Sequence, residues 1–197
     1  MHRVTKVLRM DLNLSETLLK DNPNLKVVHL FRDPRATIYS HFTATWFQRK
    51  NGSKERVEDI VKVVCKRMRS DIEAGIKLMN KYQARVAIVQ YEDFIVDTVA
   101  KMRTLYKFLG MKYTREVEQF VNNTRVNRLD INHDRSVPFS YRTKLSWVIV
   151  KMIDMYCNDV IHALGLKTYP TKELYLNITM FLPRANSLPF ALLSRHR

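Results

Sequence analysis

Apolar residues along this chain change period several times, and each change marks an element. Val27, Val28, Leu30 and Phe31 form a near-continuous apolar run, the pattern of a strand covered on both faces. Val86-Ala87-Ile88-Val89 reads as a second buried strand. Between them, Val57, Ile60, Val61, Val64, Met68, Ile72, Ile76 and Met79 recur at helical spacing from Glu55 to Lys81. Met68 and Met79 read as core filler on that stripe. Further helices are expected from Leu14 to Lys20, with Ser15 as a cap, from Pro34 towards Phe47, from Val99 to Leu109 and from Arg115 to Asn122. A last long helix is expected to carry Leu145, Val148, Met152, Tyr156, Val160 and Leu164, with Gly165 ending it as Gly110 ends the helix from Val99 to Leu109. Asn51-Gly52-Ser53 reads as a turn, and the polar stretch from Asn127 to Tyr141 as a long loop. Strands alternating with helices imply an α/β fold, a parallel sheet flanked by helices.

The junction after the first strand carries the candidate chemistry. Asp33 reads as an N-cap and Pro34 as the first helical residue, where its missing N–H costs nothing. Arg32 then sits at the carboxyl end of a parallel strand, where open α/β sheets place their ligands. Its guanidinium is a planar fork of donors that fits a phosphate bidentately. Ser40, on the following helix, adds a hydroxyl to the same anion. The plainer alternative is an Arg32–Asp33 surface pair with Ser40 as an ordinary helix serine.

Composition narrows the class. The chain has 197 residues and is 46% hydrophobic, enough for one core without splitting. Its 34 Lys and Arg against 19 Asp and Glu leave a net charge of +15, which favours anionic partners. No zinc-finger spacing, RNP-like aromatic motif or basic-zipper heptad accompanies that charge. The cluster Lys62, Lys66, Arg67, Arg69 reads as a solvated helix face rather than a polyanion track. No run reaches the length of a membrane span, and the start MHRVTKVLRMD lacks the apolar core of a signal peptide. Cys65 and Cys157 match no zinc pattern, and no metal site is expected. Both fall in helical segments, where buried free thiols are the default; a single bridge stays open for an oxidising compartment. The sequons at Asn13, Asn51, Asn122 and Asn177 are compatible with secretory exposure.

Several strings in order carry a resemblance. Arg32-Asp33-Pro34-Arg35-Ala36 followed by Ser40 resembles the 3′-phosphate-binding element of the sulfotransferases, specifically the carbohydrate 6-O-sulfotransferases acting on galactose, N-acetylgalactosamine or N-acetylglucosamine. Cys65 with Met68 and Asp71, Tyr91-Glu92-Asp93, and Leu105-Tyr106-Lys107-Phe108-Leu109-Gly110 resemble segments that follow in that family. Tyr141-Arg142, Leu145, Cys157 and Leu164-Gly165 resemble its closing block, with Tyr141 for Trp and Leu166 for Tyr. The likeness spans about residues 5 to 168.

The resemblance implies a P-loop-NTPase-like sulfotransferase fold, N-terminally incomplete. It also implies 3′-phosphoadenosine 5′-phosphosulfate as co-substrate, without a metal, and a glycan or glycosaminoglycan as acceptor. Arg32 and Ser40 would bind the 3′-phosphate. Arg135, Ser136 and Arg142 would close over the nucleotide from the long loop; alternatively Arg142 starts a helix and pairs with Asp134. The family's glycine-, serine- and threonine-rich 5′ loop has no counterpart among the four glycines at 52, 75, 110 and 165. The sequence is therefore expected to begin after that loop, which leaves the general base unassigned and this stretch alone inactive. His133 reads as a solvated loop histidine, and Glu92 and Asp93 as structural acids ending a strand. A Golgi location would follow from an anchor upstream. Residues 1–170 are expected to form a partial sulfotransferase domain, and 171–197 a tail of unknown role. A non-catalytic nucleotide-binding relative and a basic nucleic-acid-binding protein remain as alternatives.

Overall fold

The structure is a computed structural model that describes residues 2–8, 10–43, 57–96, 98–129, 139 and 141–177. The turn at Asn51-Gly52-Ser53, the loop residues His133, Asp134, Arg135 and Ser136, and the chain after Asn177 lie outside them. A 3-10 turn, Leu12–Leu14, leads into helix α1, Ser15–Asp21. Strand β1, Val27–Phe31, is followed by α2, Pro34–Thr43, and by the long α3, Val57–Lys81. Strand β2, Val86–Gln90, runs straight into α4, Tyr91–Val96, and then α5, Thr98–Leu109. Helix α6, Arg115–Leu129, extends well past Asn122, so the polar stretch expected as loop from Asn127 starts inside a helix. Four short helices follow: α7, Tyr141–Lys144; α8, Trp147–Tyr156; α9, Asn158–Ala163; and α10, Lys172–Leu176.

β1 and β2 pair in parallel, Val27 opposite Val86 through Phe31 opposite Gln90, as strand–helix alternation predicts. β2 is buried along Val86 to Val89, as its apolar run requires. β1 departs from expectation. Val28 and Leu30 are 39% and 57% exposed, so only one face of this strand is covered. An apolar run states that a strand can be covered twice, not that two layers are present.

α3 organises the core. It lies on the sheet through one face and takes the C-terminal helices on another, so Ile60, Val61, Val64, Cys65, Met68, Ile72, Ala74 and Leu78 are all buried. The buried surface is wider than the expected stripe because two layers use it; Val57, by contrast, is exposed. Gly75 sits where α3 crosses β2: a Cβ there would meet Ile88 Cδ1 at 2.3 Å, so any larger residue requires the Ile88 side chain to shift. Asp71 holds the start of the chain, its Oδ1 accepting the Leu12 N–H at 2.8 Å. Ser15 is buried but caps nothing; the N-cap position of α1 is Leu14.

The expected helix from Leu145 to Leu164 is broken twice. Ser146 is extended and caps α8, accepting the Ile149 N–H on its hydroxyl at 3.4 Å. That extended residue resets the helical phase, which turns Val148 outwards while Val150 and Ile153 are buried. The second break falls at Cys157, which is bonded to Cys65 of α3 with the two Cα atoms 5.1 Å apart. The default of two free thiols is thereby overturned, because α3 and the α8–α9 junction pack closely enough to bridge. α10 also departs from the expected tail: Tyr175 is buried in the same core as α3, α8 and α9. The packed unit therefore crosses the boundary expected at residue 170.

The bridge closes a loop across a sequence separation of 92, which in the chain-entropy model restricts the unfolded chain by about 4–5 kcal/mol. Replacing both cysteines by alanine is expected to lower the free energy of unfolding by about 2–5 kcal/mol. Denaturant titration of the two forms under oxidising conditions measures it, and equal midpoints would remove the bridge from the stability of the fold.

Candidate functional site

The site begins with Asp33, at the carboxyl end of β1. Its Oδ1 accepts the Arg35 N–H at 2.8 Å, the expected cap on the first turn of α2. Its Oδ2 accepts from Arg35 Nη1 at 3.1 Å and from the Tyr141 hydroxyl at 3.0 Å. Arg35 is itself 1% exposed and fully engaged: Nε donates to Asp154 Oδ1 at 2.9 Å, and Nη2 to the Lys167 carbonyl at 2.9 Å. Burial alone pulls the Arg35 pKa down, but the Asp33 and Asp154 carboxylates outweigh it and hold Arg35 above its ordinary value. Burial pushes both Tyr141 and Asp154 upwards, so the Tyr141 hydroxyl stays a donor.

Because Asp33 is spent on Arg35, it does not pair with Arg32, and the plain surface-pair reading of the junction fails. Arg32 Nη1 instead donates to Ser40 Oγ at 3.2 Å, one helical layer into α2. The guanidinium lies over the Tyr91 ring, 4.8 Å from its centroid, and its Nε is buried with no hydrogen-bond partner. No carboxylate among the described residues pairs with it. A cation held in place by an aromatic face and a hydroxyl, with a donor left over, has the chemistry to take an anion.

Arg142, on α7, makes a second such group. It is 3% exposed, lies over Tyr169 and Tyr175 at 4.6 and 5.5 Å, and leaves Nε and Nη2 without partners. Its alternative partner, Asp134, lies outside the described residues. Arg142 follows Tyr141, whose hydroxyl holds Asp33, and it shares the Tyr169 ring with Arg35 at 5.3 Å. The same hydrogen-bonded network thus anchors the neighbours of both arginines.

Glu92, on α4, serves the backbone here. Its Oε1 accepts the Asp33 N–H at 2.9 Å, fixing the peptide next to Arg32, while Oε2 is buried without a partner. Burial, reinforced by the nearby Asp33 carboxylate, raises its pKa from 4.5 to about 7. A structural role for this acid was expected from its place at the end of a strand; its raised pKa was not. Tyr91, Arg35, Tyr141, Asp154 and Tyr175 were not singled out as site residues. The adjacent Arg-Asp-Pro-Arg charges were the available signal for Arg35, but Asp154 lies 119 residues away in sequence. No group of three or more His, Cys, Asp or Glu side chains among the described residues is placed to hold a metal ion.

Comparison with known proteins gives the family. Residues 9–149 match the sulfotransferase domain. The chain belongs to the sulfotransferase family. This sulfotransferase chain is 28% identical over 201 residues to carbohydrate sulfotransferase 1 of Danio rerio, covering 92% of this chain and 48% of that protein. It is 26% identical over 160 residues to carbohydrate sulfotransferase 3 of Tetronarce californica, covering 73% and 36%. Carbohydrate sulfotransferase 5 of Mus musculus matches at 26% over 209 residues, covering 93% and 53%. The chain thus spans about half the length of the curated relatives it matches. A match over 93% of 197 residues also runs past Thr171, beyond the limit of about residue 168 read from the motifs.

Two expectations follow from the buried network. Arg35→Ala leaves Asp33 and Asp154 as uncompensated buried acids and should cost about 3–5 kcal/mol of stability, read by denaturant unfolding. A loss below about 1 kcal/mol would show that the network is dispensable. The second concerns Glu92. Below pH 4.5 its carboxyl is protonated folded and unfolded alike, whereas above about 7 it is ionised in both and the folded state carries the burial penalty. Stability contributed by the protonated form is therefore lost as pH rises from about 4.5 to about 7, by about 3 kcal/mol. Glu92→Gln keeps an acceptor for the Asp33 N–H and should flatten that part of the stability–pH curve. Parallel curves for the two proteins would refute it.

Proposed function

We propose that this chain binds the 3′-phosphate of 3′-phosphoadenosine 5′-phosphosulfate through Arg32 and Ser40. The protein it belongs to would then transfer a sulfuryl group to a carbohydrate hydroxyl. The observation that carries the reading is Arg32: a guanidinium at the carboxyl end of β1, set on Ser40 and Tyr91, with a buried donor and no carboxylate among the described residues. Burying such a donor without a partner is costly, and a phosphate oxygen would satisfy it. Arg142 is assigned to the same donor nucleotide because its buried Nε and Nη2 are likewise open.

When bound, the co-substrate supplies the group to be transferred. The chain's own residues supply anchorage: Glu92 and the Asp33–Arg35–Asp154 network fix the backbone from which Arg32 projects. Binding energy gained at a remote phosphate helps to orient the reacting end. The curated relatives are named carbohydrate sulfotransferases, which supports a glycan or glycosaminoglycan acceptor, and we assign transfer to the 6-O position of galactose, N-acetylgalactosamine or N-acetylglucosamine. A P-loop-NTPase-like fold and residence in the Golgi belong to the same reading. No helix among the described residues is long and apolar enough to cross a membrane.

Calorimetry on the full chain tests the donor assignment. Adenosine 3′,5′-bisphosphate should bind more tightly than adenosine 5′-phosphate. Arg32→Ala should remove most of that preference, about 1.5–3 kcal/mol for a charge-assisted contact, and Ser40→Ala about 0.5–1.5 kcal/mol. Equal affinity of the wild type for the two nucleotides would overturn the assignment.

A further inference from the structure

A second basic feature lies away from Arg32, on the outer side of α3. Lys62, Lys66 and Arg69 line an open groove of about 530 Å³ with Ser70, Glu73 and Tyr156, and the Cys65 end of the disulfide forms part of its wall. That volume falls within the ~300–1,000 Å³ typical of small-ligand sites. The three cations stand at i, i+4 and i+7 of one helix, which spaces them about 6 and then 4.5 Å along its axis. They form a straight row of positive charge facing solvent.

The row is available. Lys62 pairs with Glu58 at 2.6 Å and Arg69 with Asp159, but these side chains are 38–52% exposed, and exposed pairs exchange partners at little cost. Lys66 has no ionic or hydrogen-bond partner among the described residues. Glu73 is the single acid lining the groove. The floor is pre-formed, because the Cys65–Cys157 bond ties α3 to the helix that ends in Tyr156.

The location also fits. α3 ends at Lys81, shortly before β2 begins, so it runs antiparallel to the strands. Asp71 lies beside His29, at the middle of β1, with 3.9 Å between Nε2 and Oδ2. Residues before Asp71 on α3, including all three cations, therefore lie towards the carboxyl ends of the strands, the end that carries Arg32.

We infer that this groove is a binding subsite for an anionic saccharide, a linear stretch of sugar rings carrying sulfate or carboxylate groups. Cations spaced along one helix face meet the charges, and the Ser70 hydroxyl suits a sugar hydroxyl, while the Tyr156 hydroxyl is held by Glu58. A nucleic-acid strand is less well served, since stacking platforms use successive open aromatic faces. The one ring here already carries Lys62, 5.0 Å from its centroid. The inference rests on the sulfotransferase reading only for the source of the saccharide; binding is measured without turnover.

The experiment is calorimetry on the full chain at about 150 mM salt, where exposed charges act only over about 8 Å. The probes are a chondroitin 6-sulfate hexasaccharide, a neutral chitin hexasaccharide and a single-stranded hexanucleotide. The sulfated probe should bind at least about tenfold more tightly than either of the others, and Lys66→Glu should weaken it about tenfold or more. Lys66→Ala should weaken it less, and both variants should unfold at the wild-type midpoint and bind adenosine 3′,5′-bisphosphate as the wild type does. Unchanged saccharide affinity in Lys66→Glu would overturn the subsite. Equal affinity for the hexanucleotide, lost to the same degree, would reduce the groove to a general polyanion surface and overturn it as well. Failure of the bisphosphate to bind the wild type would count against the donor assignment and leave the saccharide result standing.

Discussion

Everything at the candidate site hangs on how one buried carboxylate is shared. Asp33 caps α2, binds Arg35 and receives the Tyr141 hydroxyl, and Arg35 passes the connection on to Asp154 of α8 and the carbonyl of Lys167. Buried charges survive in a protein only when paired and hydrogen-bonded. Here the pairing joins the end of β1 to two C-terminal helices, α7 and α8, and to the loop that carries Lys167. Its consequence for function is indirect. By taking Asp33, Arg35 leaves Arg32 with no carboxylate partner among the described residues, set instead on Ser40 and the Tyr91 ring.

The disulfide works at a different scale. Cys65 lies on the helix that covers the sheet, and Cys157 marks the break between α8 and α9. Fixing those two points sets the C-terminal helices against α3, and through Asp154 it holds Arg35 in register with Asp33. The same bond shapes the wall of the basic groove. Basic residues thus come to stand in contrasting settings: Arg32 and Arg142 held on aromatic faces, and a solvent-facing row on α3.

Glu92 shows how tightly backbone and electrostatics are coupled here. Its acceptance of the Asp33 N–H fixes the peptide beside Arg32, yet its own charge lies close to the Asp33 carboxylate. Proton uptake by Glu92 therefore relieves repulsion with Asp33, the residue next to Arg32.

The sequence by itself determined both strands, most of the helix order and the pairing of Arg32 with Ser40. Apolar runs located both strands, Asp33-Pro34 located the start of α2, and the spacing of Arg32 and Ser40 put a guanidinium and a hydroxyl on the same turn-and-a-half of chain. These are local properties, written in propensities and periods a few residues long. The ordered motifs also located the family, which the match over residues 9–149 bears out. Tertiary structure alone decided the rest. Arg35 and Asp154 lie 119 residues apart, Tyr141 and Asp33 lie 108 apart, and Cys65 and Cys157 lie 92 apart. No periodicity reaches over such separations. Which carboxylate neutralises which arginine, and hence which arginine stays free, depends on helices meeting in space. The phase of α8 and the burial of Tyr175 follow the same rule, because a cap and a long-range contact each overrode the local pattern.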